Sequence, residues 1–379
     1  MQSRQASGDP GARGDAPAPS GVAARLLSAL GPRAVDWAER GLVPDPVLRL
    51  AVRALVRDRL SELSREGDRR AEFAQELARG PVAVHTQRAN DQHYEVPPAF
   101  FREALGPRLK YSCALFEDGN TDLAAAEDAM LELSAARAGL EDGMRVLELG
   151  CGWGSLSLFI AERFPGCEVL AVSNSKVQGE WIHRECRRRG LGNVTVHTAD
   201  MNGFDPGALV PVAGPFDRVM SIEMFEHIRN WGALLGRVAG WLTPEGRVFL
   251  HTFCHRDRAY AFEDRGEGDW MARHFFSGGI MPSADWIRRH AQDLEVVEQW
   301  FVDGRHYRDT SEAWLARVDA RREAARRALA DGGHPDPERA LQRWRMFFLA
   351  VAELFGFQRG QEWFVQHALL APVATGGRR

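Results

Sequence analysis

Val146-Leu147-Glu148-Leu149-Gly150-Cys151-Gly152-Trp153-Gly154 decides the fold. An apolar run ends in three glycines within five positions, and a helical pattern follows. Glycine lets a chain turn sharply and approach a ligand that a Cβ would exclude. No Lys-Ser/Thr pair follows the turn, so a phosphate loop is excluded. The order Gly-Cys-Gly-Trp-Gly also fails the dinucleotide fingerprint, which spaces its glycines differently. Glu148 stands two residues before the first glycine, where it suits a cationic cofactor better than a pyrophosphate.

Working outward, short apolar runs alternate with helical ones. The pattern predicts strands at Arg145–Leu149, Glu168–Ser173, Val194–Thr198, Arg218–Ile222 and Arg247–Thr252. Helical stretches lie between them, as right-handed crossovers require, so the fold class is α/β with a wound sheet. After Cys254 the alternation gives way to an aromatic and charged segment, Tyr260 to Met281. A strand-like Leu294–Asp303, helices at Ser311–Leu329 and Pro337–Phe355, and a strand-like Glu362–Leu370 follow.

Upstream, Met1 to Gly21 is rich in Gly, Ala, Pro and Ser and reads as a disordered tail. Val22 to Arg79 reads as helical. Asp45-Pro46 supplies a cap and a first-turn proline, and Val47, Leu50, Ala51 and Leu55 recur at helical spacing as an apolar face. Arg49, Arg53 and Arg57 form a basic face, suited either to an anionic membrane surface or to solvent on a lid helix. The expected division is therefore a disordered tail at 1–21, a helical region at 22–83, a cofactor-binding α/β domain with its lead-in segment at 84–255, and a substrate cap with the final strands at 256–379.

Composition limits the function. The chain has 379 residues, 45% hydrophobic and 26% charged, with a net charge of −4. That balance argues against nucleic-acid binding, which needs an excess of basic charge. No long uncharged apolar run indicates a spanning helix, and the start lacks a secretory h-region. The five cysteines show no metal-ligand spacing, and a cytoplasmic protein with reduced thiols and no metal is expected.

The motifs carry a resemblance. Glu-Leu-Gly-Cys-Gly-Trp-Gly, followed some way on by Ala199-Asp200, resembles the cofactor motifs of class I S-adenosylmethionine-dependent methyltransferases. The resemblance implies a Rossmann-like methyltransferase sheet with S-adenosylmethionine as cofactor. Glu148 would face the methionine end, Gly150 and Gly152 would pass beneath the cofactor, and Asp200 would bond the adenine amine. Tyr111, Ser112 and Met201 would complete the site. Where those enzymes often place a ribose-binding carboxylate, this chain has Ser173-Asn174-Ser175. Asn174, Ser175 and Gln178 would take that part.

A narrower family matches from Val84 to Leu370. Asp91-Gln92-His93-Tyr94, Lys110-Tyr111-Ser112-Cys113, Glu223-Met224-Phe225-Glu226-His227 and Gly278-Gly279-Ile280-Met281-Pro282-Ser283 resemble cyclopropane fatty acid synthases and the coclaurine-type N-methyltransferases. Ser173–Lys176, Phe262–Phe276, Trp344–Phe348 and Ala350–Gly356 are more similar to the amine enzymes.

Methyl transfer to nitrogen needs an uncharged amine about 3–3.5 Å from the methyl carbon, and a protonated amine needs a group to take its proton. Glu223, Glu226 and His227 follow the fourth strand, at the sheet edge where α/β ligands bind. A helix there would put all three on one face. The resemblance implies Glu223 and His227 as the catalytic pair. Matching the cyclopropane synthases instead gives Cys113, Glu226, His251 and Tyr307 as ligands of a bound bicarbonate. Trp270, Phe275, Phe276, Trp344, Phe347 and Phe348 suit an aromatic pocket for an amine, with Trp344 and Phe347 matched to substrate contacts.

The expected function is methylation of a small aromatic or cyclic amine. Cyclopropanation of an unsaturated phospholipid, on a protein peripheral to the membrane, is the alternative, and a non-catalytic cofactor-binding protein is a remote one. A homodimer is left open.

Overall fold

The computed structural model describes residues 33–84, 96–117, 122–209, 214–263, 270–275 and 278–373. The tail at 1–21, the motif Asp91–Tyr94 and Phe276 lie outside the described residues. In chain order come helix α1 (Asp45–Glu66), α2 (Leu123–Ala138), strand β1 (Arg145–Leu149), α3 (Ser155–Arg163), β2 (Glu168–Ser173), α4 (Lys176–Arg189), β3 (Val194–Thr198) and β4 (Phe216–Ile222). Then follow α5 (Trp231–Gly240), β5 (Leu242–His255), β6 (Tyr260–Ala261), β7 (Ile280–Met281), β8 (Leu294–Val302), α6 (Gly304–Ala320), α7 (Arg322–Asp331), α8 (Pro337–Phe355) and β9 (Trp363–Pro372).

Seven strands form one sheet in the order β3-β2-β1-β4-β5-β9-β8, and β6 and β7 pair separately. The first five are parallel, while β9 joins β5 and β8 antiparallel. The last strands therefore extend the cofactor domain's own sheet. Val146, Leu147 and Leu149 of β1 are wholly buried, because a central parallel strand is covered on both faces. Strand order reverses between β1 and β4, and such a switch point opens a crevice at the carboxyl ends of the strands.

Two helical expectations need correction. The helix expected at Ser311–Leu329 begins at Gly304 and breaks at Arg321. The Asp303 side chain caps its start, accepting the Arg305 backbone N–H at 2.8 Å, so Asp303 ends the preceding strand.

The other correction concerns α1. Asp45 does not cap it, since Pro44 holds that position, and the Asp45 carboxylate pairs instead with Arg345 at 2.8 Å. Val47, Leu50 and Leu55, expected to face inward, are 51%, 61% and 42% exposed. Leu48, Val56 and Leu63 are buried in their place. Both stripes have helical spacing, so periodicity alone did not choose between them. Ion pairs do. Arg49 reaches Glu312 at 2.5 Å and Glu353 at 2.9 Å, and Arg53 also pairs with Glu353. Arg49 and Arg53 are committed to the cap by these pairs, although Arg53, like Arg57, stays exposed. No described helix is long and apolar enough to cross a membrane.

Glu353 is thus a carboxylate, 8% exposed, that bridges two arginines of α1. Glu353→Gln leaves both cations facing a neutral amide. The half-exposed Arg53 softens the loss, and the expected destabilisation is about 1–3 kcal/mol, below a fully buried pair. Urea denaturation checks it. An unchanged midpoint would remove these pairs from what holds α1 in place.

Candidate active site

The cavity at the switch point is lined by Gly150, Gly152, Asn174, Gln178, Asp200, Met201, Glu223 and His227 among the expected residues. Ala83, Val172, Ala199, Met224 and Ile228 add an apolar wall. Gly150 has φ +79, and a Cβ on it would lie 2.5 Å from the Met224 side chain. Gly152, at φ +52, faces open space. Its backbone is therefore free to lie against a ligand. The amide Nε2 of Gln178 is buried here with no hydrogen-bond partner among the described residues. A buried unpaired donor calls for an acceptor, and a ribose hydroxyl meets that need. These features fit S-adenosylmethionine.

Asp200 is held at the rim. Its Oδ1 accepts the Asn202 backbone N–H at 2.8 Å and the Asn202 side-chain amide at 2.9 Å. Asn202 in turn exchanges two hydrogen bonds with the backbone of Ala83, at 3.0 and 3.1 Å. Sequence reasoning missed Asn202, which ties the segment entering from the N-terminal helices to the cofactor crevice. A polar residue two after an acidic loop residue, positioned for an Asx turn, was the available signal.

Four expected cofactor residues do not line the cavity. Glu148 is 2% exposed, and its carboxylate accepts from the Ser157 hydroxyl; burial raises its pKa to about 7. Ser175 caps α4, accepting the Gln178 backbone N–H at 3.3 Å. Ser112 takes a hydrogen bond from the buried Lys110 ammonium at 2.5 Å. Tyr111 packs among aromatic rings, 5.3 Å from Phe101 and 5.7 Å from Trp314.

The turn after β4 differs most from expectation. Only Phe225–His227 form a single 3-10 turn, so Glu223, Glu226 and His227 do not share a helix face. Glu223 precedes the turn at φ +47, a conformation that costs a non-glycine residue about 1–3 kcal/mol and clusters at functional sites. The strain aims its side chain into a ring of donors. Oε1 accepts the Cys113 backbone N–H at 2.9 Å and lies 3.1 Å from His251 Nε2. Oε2 accepts the Tyr307 hydroxyl at 2.6 Å. Burial raises the Glu223 pKa, against the pull of Lys110 and these donors. Glu226 faces elsewhere, accepting the Phe253 backbone N–H at 2.6 Å. Burial and the Glu223 charge push its pKa well up. His227 lines the cavity, and burial lowers its pKa to about 4, leaving a neutral imidazole.

This geometry does not fit bicarbonate. The backbone N–H of Cys113, His251 and the Tyr307 hydroxyl all converge on the Glu223 carboxylate, and Glu226 is absent from the group. The Cys113 thiol itself turns away to the Ala114 carbonyl at 3.3 Å. A side-chain carboxylate already stands where a bound anion would need those donors.

Behind Tyr307 lies an aromatic wall. Its ring stacks on Phe355 at 4.4 Å and meets Trp314 edge-on at 6.3 Å. Trp344 and Phe347 are buried in the same cluster, with Phe347 stacked on Phe275 at 4.2 Å. Trp270 is anchored outward, donating to Glu39 at 2.9 Å.

Comparison with known proteins identifies the family. A family profile described as mycolic acid cyclopropane synthetase matches residues 83–363. The (S)-coclaurine N-methyltransferase of Thalictrum flavum subsp. glaucum is 34% identical over 87% of this chain and 93% of its own. The cyclopropane-fatty-acyl-phospholipid synthase of Escherichia coli (strain K12) is 31% identical over 60% of this chain and 55% of its own. A solved coclaurine N-methyltransferase bound to N-methylheliamine and SAH superposes with a TM-score of 0.83 at 34% identity, covering 89% of this chain and 99% of that one.

Proposed function

The chain belongs to the mycolic acid cyclopropane synthetase family and is an S-adenosylmethionine-dependent methyltransferase; from that premise we propose that it methylates the nitrogen of a small aromatic or cyclic amine, with Glu223 taking the amine's proton. One observation carries the reading. The Glu223 carboxylate lies on the wall of the cofactor cavity and fills the position that a bicarbonate base would need.

S-adenosylmethionine supplies an electrophilic methyl group on a sulfonium. Gly150 and Gly152 would give it close backbone approach, Gln178 and Asn174 would meet the ribose, and Asp200 would accept from the adenine amine. Glu223 accepts the proton that leaves the amine nitrogen and so frees its lone pair. Tyr307, His251 and the Cys113 N–H hold that carboxylate ionised until it does so. Neutral His227 stands beside it as a hydrogen-bond partner for the acceptor. A ring face turned to an amine would stabilise its positive charge by about 0.5–2 kcal/mol, the part proposed for Trp344 and Phe347, whose rings pack against each other and Phe275 outside the cavity lining. Relatives named for coclaurine, pavine and tetrahydroprotoberberine N-methylation support a cyclic amine of that size.

Purified enzyme with methyl-labelled S-adenosylmethionine is given benzylisoquinoline-like and simpler amines in one tube, and vesicles of unsaturated phospholipid in another. Product mass is the readout. Label on an amine is the expected result. Label confined to acyl chains would overturn the reading in favour of cyclopropane chemistry.

A further inference from the structure

A line of buried polar groups runs away from the cavity behind Glu223. Antiparallel pairing sets His251 of β5 opposite His367 of β9, and Trp300 of β8 opposite His367 on its other side. Their rings connect in series. His251 Nε2 is 3.1 Å from Glu223 Oε1, and His251 Nδ1 is 2.9 Å from His367 Nε2. His367 Nδ1 is 2.8 Å from the Arg137 guanidinium, on the last turn of α2. That guanidinium is fixed over the Trp300 ring, 4.9 Å from its centroid.

The chemistry of these groups sets the direction of every bond. A guanidinium donates and never accepts, so His367 Nδ1 must be the acceptor. A neutral imidazole has one donor and one acceptor nitrogen. His367 therefore carries its proton on Nε2 and donates to His251 Nδ1. By the same rule His251 carries its proton on Nε2 and donates to Glu223 Oε1. Both rings are fully buried, and burial with the nearby cations holds both well below the ordinary histidine range, so they stay neutral.

We propose that Arg137 is a positioning residue: by fixing His367 and then His251 as Nε2–H tautomers, it orients the last hydrogen bond so that Glu223 is always the acceptor. Without the guanidinium the chain can reverse. His251 Nε2 then becomes an acceptor and holds a proton on Glu223, which disables it as a base. The same polarity closes the line as an exit. His251 Nε2 already carries a proton, so the one Glu223 takes from the amine leaves through the cofactor side of the site. The inference rests on Glu223 as the base.

The test is nitrogen-15 NMR of histidine-labelled full-length protein, in which ring-nitrogen shifts identify the tautomer. His251→Asn and His367→Asn assign the two signals. The expected wild-type result is Nε2–H at both rings. Arg137→Met should mix the tautomers and lower kcat about tenfold, the effect of losing one buried hydrogen bond, with amine KM and cofactor Kd unchanged. Arg137→Lys keeps a donor-only cation and should restore both tautomers and most of kcat. An Nδ1–H signal at either ring in the wild type overturns the proposal, even if Arg137→Met does not fold. Unchanged tautomers in Arg137→Met also overturn it. Mixed tautomers with unchanged kcat would uphold the orientation and instead refute Glu223 as the base.

Discussion

Glu223→Gln is expected to lower kcat about a thousandfold, within the range for removing a positioned general base, while cofactor affinity stays within about twofold. Glutamine keeps the size of the side chain but loses the charge on which His251, Tyr307 and the Cys113 N–H converge. Its own NH2 must then face one of those donors. Glu223→Gly tests the geometry more sharply. Glycine is at ease at φ +47, so the backbone strain disappears and a carboxylate-sized hole lined by three donors opens. Formate or bicarbonate added in solution should restore part of the lost turnover. Acid pH should reproduce the loss in the wild type. Burial raises the Glu223 pKa, so activity falls as pH drops through a value above the usual carboxylate range, and this limb vanishes in the Gln variant. Lys110, His227, His251 and Tyr307 face the same carboxylate, and Lys110, the Tyr307 hydroxyl and His227 pull its pKa down against burial. Full activity in the Gln variant would refute the assignment, as would a Gly variant that binds cofactor but ignores added carboxylates.

The parallel half of the sheet was legible in detail. β1 and β2 occupy the residues expected of them, because buried strands read as continuous apolar runs bounded by turns; β3, an edge strand with no buried residue, was legible from its alternation of valine with threonine and histidine. β4 and β5 begin earlier than expected, at Phe216 and Leu242. Thr243, Glu245 and Gly246 look like loop residues, yet they continue the strand past its buried part. α8 was read to the residue, since Asp336-Pro337 marks its start and Gly356 its end. α1 was not, because apolar residues surround it on more than one face and only the partners Glu312 and Glu353, far along the chain, select the buried one.

The site shows the same limit. Residue types and order brought Glu223, His227, His251, Tyr307 and Cys113 to notice, and the fold gathers them. What sequence could not supply is direction. A left-handed Glu223 sends its carboxylate into the donors, and a one-turn 3-10 segment turns Glu226 away from them. One backbone angle thus makes three of the four apparent anion ligands, Cys113 through its backbone, His251 and Tyr307, the surroundings of a single glutamate. Arg137 and His367 carried no motif at all. They matter because strands distant in sequence pair in one register.

The cofactor end should respond in the opposite sense to the base. Asp200→Ala is expected to raise the cofactor Kd about 10–100-fold, the range for losing a hydrogen bond to a charged group, with kcat at saturating cofactor within about threefold of wild type. Asp200 is exposed at the cavity rim, and its Oδ1 is taken by Asn202. Oδ2 is thus the oxygen that the proposed contact with the adenine amine would use. Truncation also frees Asn202, which pins Ala83 over the crevice, so two effects could mix. Asp200→Asn separates them, because its side-chain oxygen can still hold the Asn202 backbone while the charge is gone. An intermediate Kd in that variant assigns the difference to charge, and a wild-type Kd would mean that turn geometry alone matters. Isothermal titration with S-adenosylhomocysteine reads all three proteins without any acceptor present. If Asp200→Ala binds as tightly as wild type, the adenine lies elsewhere in the crevice. If Glu223→Gln weakens binding as much as Asp200→Ala does, the division between a cofactor end and a proton-accepting end fails. That division follows from the switch point itself: Asp200 stands beyond β3 and Glu223 beyond β4, on opposite sides of the glycine turn that ends β1.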